Sequence, residues 1–80
     1  MANRQNIVGP QVRKLRDQRD MTQEALAARC NLLGWDLSRA TLSKIEAQLR
    51  CVADSELRVL ADALKVTLED LYPPKRKIGR

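Results

Sequence analysis

Residues 21–46 read MTQEALAARCNLLGWDLSRATLSKIE, and this stretch decides the fold of the 80-residue chain. Thr22 and Ser38 are residues that favour the N-cap of a helix, and each precedes apolar residues at helical spacing. These apolar residues are Leu26, Ala27 and Cys30 after Thr22, and Leu42, Ile45 and Leu49 after Ser38. Asn31 or Gly34 could end the helix that begins at Thr22. The stretch therefore predicts two short amphipathic helices that are closely joined in sequence.

The flanking sequence predicts three more helices. The first begins at Pro10, a residue favoured in the first turn, and continues to about Arg19. The fourth spans about Asp54 to Leu64, and the fifth opens at the capping-box pattern Thr67–Asp70 before a proline pair stops it. The predicted core residues of these helices are Val12, Leu15, Leu57, Leu60, Ala61, Leu64, Leu68 and Leu71. Since no segment predicts a strand, the predicted fold class is all-α with five helices.

Length and composition predict one soluble globular domain. Eighty residues leave no room for a second domain or a deep substrate cavity, and 44% hydrophobic with 31% charged residues is an ordinary folded balance. We expect a flexible N-terminal arm over residues 1–6, a folded domain over 7–72 and a basic tail over 73–80. The apolar runs are too short for a membrane span, and residues 1–9 lack the apolar core of a signal peptide. The expected location is therefore cytoplasmic.

The cysteine and histidine content argues against a metal site, a cofactor or an enzyme. The chain has no histidine and two cysteines, Cys30 and Cys51, whereas a four-ligand zinc site needs more donors. Each cysteine is expected to be a small buried apolar side chain, with a disulfide or redox switch as the alternative. The sequence shows no nucleophile–base pair and no phosphate-binding loop. An enzyme is thus the weakest functional class.

The charge and the polar face of the third helix point to nucleic acid. A net charge of +5 and a pI near 9.8 suit a polyanionic partner. Four residues of this helix lie on the face opposite its apolar residues, spaced about one turn apart: Arg39, Ala40, Ser43 and Lys44. In the major groove, an arginine or lysine can bind guanine O6 and N7, and Ala40 can contact a thymine methyl group. Gln23, at the start of the second helix, offers an amide to a phosphate.

Three segments of the sequence resemble one family. They are MTQEALAAR at 21–29, SRATLSKIE at 38–46, and Leu57 with LADALKVTLEDL at 60–71. Together they resemble the lambda-repressor-like helix-turn-helix regulators, also called Cro/C1-type or XRE family, over about residues 7–72. The resemblance implies base contacts from Arg39, Ala40 and Lys44, flanked by Thr41 and Ser43. It also implies phosphate or positioning roles for Gln23, Ala47 and Arg50, and a buried ion pair between Arg16 and Glu46.

The sequence departs from the family pattern in the link between the second and third helices. The link is about five residues longer, and CNLLGWDL at 30–37 fills it, so we expect a longer second helix or an enlarged turn. Trp35 and the nearby leucines, Leu32, Leu33 and Leu37, could cover this turn as satellite core or form an apolar patch for a partner protein or second subunit. Ala47–Gln48 replaces the family's common Asn-Gly, and Lys65 replaces a frequent glycine.

The sequence thus predicts a DNA-binding transcriptional regulator of bacterial or phage origin, acting as a repressor and as a homodimer on a two-fold symmetric site. One alternative is an antitoxin-like module that binds a protein and also DNA. Another is a DNA-associated adaptor that relies on charge alone. The arm, through Arg4, and the tail could add DNA contacts or serve solubility. The basic residues of the tail are Lys75, Arg76, Lys77 and Arg80.

Overall fold

The computed structural model describes residues 4–74, in which the chain forms α-helices and no β-strand. The α-helices are α1 (Gly9–Gln18), α2 (Gln23–Leu32), α3 (Arg39–Glu46) and α4 (Asp54–Leu64). The all-α class is confirmed. The predicted fifth helix is a single 3-10 turn, Glu69–Leu71. It stops there because Tyr72 precedes a proline and adopts an extended backbone, with φ −88° and ψ 152°.

Local side-chain bonds fix where the helices start. Thr22 Oγ1 accepts a hydrogen bond from Ala25 N at 3.0 Å, and Ser38 Oγ accepts one from Thr41 N at 3.1 Å. Both predicted N-caps are therefore confirmed. The predicted capping box is also present, since Thr67 N donates to Asp70 Oδ2 at 3.0 Å and Asp70 N donates to Thr67 Oγ1 at 3.2 Å. Helix α1 begins at Gly9, one residue before the predicted start.

The interior is one apolar core to which all four α-helices contribute. Its buried residues are Val8, Val12, Leu15, Leu26, Ala27, Cys30, Leu37, Leu42, Ile45, Leu60, Ala61, Ala63, Leu64 and Leu71. Burial raises the pKa of the Cys30 thiol to about 11, because the thiolate would be desolvated. Cys51 was also expected to be buried, but it is exposed in the segment after α3.

Two leucines expected in the helical core, Leu49 and Leu68, are instead exposed, as are two of the leucines for which satellite core was one of two expectations. Leu49 is 68% exposed because α3 ends at Glu46 and Gln48 turns the chain with a φ of 65°. Leu68 is 45% exposed beside the 3-10 turn. Trp35 and Leu37, in the link between α2 and α3, pack on the core, whereas Leu32, the last residue of α2, and Leu33 are exposed. The predicted satellite core is therefore only half formed.

Packing leaves one face of α3 uncovered. Helices α1 and α2 both contact α3, and each also contacts α4, while the 3-10 turn closes the core against α1 and α4. Gly9 allows α1 to approach α3 closely, since a Cβ atom there would collide with the carbonyl oxygen of Ile45. The six-residue link 33–38 joins α2 to α3. No helix within residues 4–74 is long and apolar enough to cross a membrane.

The last residues of the predicted flexible arm are bound to the segment that follows α3. Asn6 Nδ2 donates to Ile45 O at 3.1 Å and to Arg50 O at 2.8 Å, and Asn6 Oδ1 accepts from Gly9 N at 2.8 Å. Gln48 Nε2 donates to Asn6 O at 2.9 Å. Asn6 thus satisfies backbone groups at the end of α3 and the start of α1, and it belongs to the folded domain. Residues 1–3 of the predicted arm and the tail basic residues at 75–80 lie outside the described residues.

Candidate nucleic-acid interface

Helix α3 has two faces of opposite character. Leu42, Ile45 and Glu46 are buried against the other helices. The other face carries the predicted base-contacting residues and Ala47. Of these, Arg39, Ala40, Lys44 and Ala47 are exposed, and Ser43 is half-buried. Because a helix rises 1.5 Å per residue, this face extends about 12 Å, which is roughly the width of the major groove of B-DNA.

Arg39 opens this face and is held by the first turn of α2. Its Nη1 donates to Gln23 Oε1 at 3.2 Å, and its Nε lies 3.5 Å from Glu24 Oε2. The Arg39 side chain is nevertheless 56% exposed. The guanidinium is therefore oriented by α2 and still accessible to a ligand.

Gln23 connects Arg39 to a buried ion pair. Its Nε2 donates to Glu46 Oε1 at 3.0 Å. Glu46 also accepts from Arg16, through Nε to Oε2 at 2.8 Å and through Nη2 to Oε1 at 3.1 Å. Arg16 Nη1 donates to the carbonyl oxygen of Met21 at 2.7 Å. These bonds tie α1 and the start of α2 to the end of α3.

The two charged side chains of this pair are almost completely buried. Relative exposures are 11% for the Arg16 side chain and 4% for the Glu46 side chain. The hydrogen bond to Glu46 raises the pKa of the Arg16 guanidinium, so the arginine keeps its charge. Every charged atom that is removed from water has a partner, which is the condition under which such a pair is tolerated.

Arg50, a predicted phosphate contact, is bound to Glu56. Its Nη1 and Nη2 donate to Glu56 Oε1 and Oε2 at 3.1 and 3.2 Å, and Nη1 also donates to Cys51 O at 2.9 Å. The bidentate bonds lower the pKa of the Glu56 carboxyl and raise the pKa of Arg50. Glu56 Oε1 also accepts from Ala53 N at 2.9 Å, at the start of α4. Arg50 therefore fastens the segment between α3 and α4.

The remaining predicted contact residues differ in position. The Thr41 hydroxyl accepts a hydrogen bond from Ser38 Oγ at 3.0 Å and is half-buried beside the N-cap of α3. Ala47 is exposed at the C-terminal end of the helix. Thr41 thus belongs to the capping arrangement, and the open face ends at Ala47.

Two polar residues of this region were not singled out from the sequence. Arg13 lines a shallow depression where the N-terminus of α2 meets α1 and α3, together with Arg16, Gln23, Ser43, Glu46 and Ala47. Because Arg13 lies three residues before Arg16 on the same helix, the two side chains are neighbours, and this spacing could have indicated its position. Glu24 lies in the first turn of α2, where an acidic residue suits the helix N-terminus. Its contact with Arg39 depends on how α2 and α3 pack.

Comparison with known proteins gives a family match over most of the chain. The family model described as Helix-turn-helix matches residues 12–71, which is three quarters of the sequence. The match begins inside α1 and ends at the last residue of the 3-10 turn. No curated protein and no solved structure matches the chain.

Proposed function

The chain belongs to the helix-turn-helix family of XRE, Cro and C1 type, a family of DNA-binding transcription regulators, and we propose that it represses transcription by binding a specific double-stranded DNA sequence. In this proposal α3 enters the major groove. Arg39, Ala40, Ser43 and Lys44 contact base edges there. The exposed face of α3 opposite its buried Leu42 and Ile45 is the observation that carries the proposal.

Contacts to the DNA backbone would set the position of α3. Gln23 lies at the N-terminus of α2, where backbone N–H groups and the helix dipole favour a phosphate. Ala47 would approach the backbone at the other end of α3, and Thr41 would position the helix through its N-cap. Arg50 would contact phosphate with a smaller effect, because its donors already bind Glu56.

One domain contacts only a few base pairs, so we propose that the protein binds as a homodimer to a two-fold symmetric site. Its half-sites would lie about one helical turn apart, and the dimer could form in solution or on DNA. We further propose a bacterial or phage origin and action in the cytoplasm. The six-residue link 33–38 would be an enlarged form of the turn usual in the family.

A second candidate function is an antitoxin-like module that binds a protein as well as DNA. Leu32 is 87% exposed and Leu33 is 49% exposed at the end of α2, in the stretch that departs from the family pattern. Exposed apolar residues next to each other are typical of a surface that a protein partner covers. Leu32→Ser with Leu33→Ser would abolish capture of such a partner and leave DNA affinity unchanged.

Selection from a random duplex library tests the proposal. The selected duplex and a scrambled duplex of the same composition are then titrated with the protein across a range of salt concentrations. A two-fold symmetric consensus bound about 1000-fold more tightly than the scrambled duplex is the expected result.

The other outcomes separate the alternatives. Equal binding to both duplexes with a steep salt dependence would leave a DNA-associated module that recognises charge. Selectivity with a single, unpaired half-site would contradict the homodimer and keep the base contacts. Absence of DNA binding would contradict the proposal and favour the protein-binding role of Leu32 and Leu33.

A further inference from the structure

Among residues 4–74, Arg39 has two polar side-chain partners, and both lie in the first turn of α2. Gln23 Oε1 accepts from Arg39 Nη1 at 3.2 Å, and Glu24 Oε2 lies 3.5 Å from Arg39 Nε. Gln23 is itself bound to the buried Glu46, so it provides a fixed acceptor. Glu24 differs, because it brings a negative charge to the edge of the candidate interface, where its side chain is 70% exposed.

A carboxylate at this position repels a polyanion such as DNA. Its presence in a DNA-contacting surface therefore suggests a second role, which concerns Arg39. A phosphate within the Debye length, about 8–10 Å in physiological salt, is repelled by Glu24. An arginine without such a neighbour binds phosphates beside any base pair and gains affinity for every sequence. When Arg39 binds a phosphate in place of Glu24, it gives up one anionic partner for another, and the displaced carboxylate still repels the phosphate. Glu24 therefore reduces the gain that Arg39 obtains from a phosphate.

A guanine base differs from a phosphate as a partner of the Arg39 guanidinium, because it carries no charge. Its O6 and N7 atoms are neutral acceptors, and Arg39 carries further N–H donors besides the Nε that faces Glu24. Arg39 can thus bind guanine while the ion pair persists, and the pair restricts the orientation of the guanidinium plane. The carboxylate penalises the contact that is common to all DNA and spares the contact that distinguishes one base.

We infer that Glu24 is a specificity-determining residue, which directs Arg39 to a base edge and lowers affinity for DNA of arbitrary sequence. The inference rests on the proposed function of α3. Glu24→Gln tests it, because the substitution removes the charge and keeps the side-chain size. Glu69→Gln is the matched control: it makes the same charge change on the 3-10 turn, which packs against α1 and α4.

The measurement is the ratio of affinities for the selected and scrambled duplexes. We expect Glu24→Gln to lower this ratio about 2- to 5-fold, mainly by raising affinity for the scrambled duplex, as the energy of an exposed ion pair allows. Glu69→Gln should shift both affinities together and leave the ratio unchanged. In an Arg39→Ala background, Glu24→Gln should no longer change the ratio, because Glu24 acts through Arg39. Circular dichroism establishes that each variant is folded.

Each remaining outcome identifies what has failed. A selective wild-type protein whose ratio is unchanged or raised by Glu24→Gln overturns the inference and leaves the proposed function intact. An effect of Glu24→Gln that persists without Arg39 also overturns it, because the charge would then act on DNA directly. A wild-type protein that binds both duplexes equally overturns the proposed function itself.

Discussion

Two arginine–glutamate pairs, Arg16–Glu46 and Arg39–Glu24, lie at opposite ends of one hydrogen-bonded chain that passes through Gln23. The side chains of the first pair are 11% and 4% exposed, whereas those of the second are 56% and 70% exposed. The chemical groups are the same, but water is excluded from one pair and surrounds the other. The buried pair therefore serves the fold, and the exposed pair remains available to a ligand.

Burial decides these roles because it changes the cost of losing one partner. In the interior, a charge left alone is costly, so both partners are held together and keep α1 and α3 in a fixed relation. At the surface, water and salt replace the lost partner at little cost. Arg39 therefore remains free to contact DNA, while its hydrogen bond to Gln23 links it to the buried pair.

The largest expected effect breaks the buried pair. Glu46→Ala should lower the free energy of unfolding by about 3–5 kcal/mol, because Arg16 would keep an uncompensated buried charge. Urea denaturation followed by circular dichroism measures this change. Lys44→Ala, on the exposed face of the same helix, is the control and should change the free energy by no more than about 0.5 kcal/mol. A similar small loss in both variants would mean that the buried pair does not secure the fold.

A smaller effect is expected from the residue that joins the two pairs. Gln23→Ala should lower the free energy of unfolding by about 0.5–1.5 kcal/mol, since Glu46 loses one hydrogen bond and keeps Arg16. It should also weaken binding to selected and scrambled duplexes, because the amide at the start of α2 is lost. Gln18→Ala, at the exposed end of α1, is the matched control for both measurements. Unchanged DNA affinity in Gln23→Ala would exclude Gln23 from the interface.

The third pair, Arg50–Glu56, is intermediate in burial, and its expected effect depends on pH. The Glu56 pKa is lowered in the folded protein, chiefly by its hydrogen bond to Arg50. The ionised carboxylate therefore stabilises the fold above the unfolded-state pKa, near 4.5, and this contribution is lost as the pH falls through the lower folded-state value. Glu56→Gln should cost roughly 0.5–1 kcal/mol at pH 7.

Denaturation curves of wild-type protein and Glu56→Gln across pH test this expectation. The difference between the two should shrink as the pH falls below about 4.5, because Glu56 is protonated first in the unfolded state and then, at lower pH, in the folded state. Glu69→Gln serves as the control, and it should give a small difference at pH 7. A Glu56→Gln difference that stays constant down to pH 2.5 would contradict a stabilising role for the ionised Arg50–Glu56 pair.

The sequence predicted those features that depend on nearby residues. The N-caps Thr22 and Ser38, the capping box at Thr67 and the bounds of α4 follow from local side-chain chemistry and apolar spacing, and the structure contains them. The family match over residues 12–71 likewise rests on the order of these local patterns. Elements whose cause lies within a few residues are therefore accessible to sequence analysis.

The features that were missed depend on distant contacts or on single backbone angles. Asn6 binds residues 39 and 44 positions away in the chain, which no local pattern indicates. Leu49 continues the apolar repeat of α3, but the left-handed Gln48 turns the chain and exposes it. The approach of Glu24 to Arg39 requires the packing of α2 on α3, and sequence spacing does not specify it.

Arg39 is the exposed end of the hydrogen-bonded series that runs through Gln23 to Glu46, and Arg39→Ala tests most directly whether this end contacts DNA bases. Binding of this variant is measured on the selected duplex and on duplexes carrying each single base-pair change, with Arg58→Ala on α4 as the matched loss of one exposed arginine. Arg39→Ala should lose about 1–3 kcal/mol of binding free energy on the selected duplex and should no longer discriminate between bases at one position. Arg58→Ala should keep the base preference at every position. If Arg39→Ala kept both the affinity and the preference at every position, α3 would not be the helix that contacts bases.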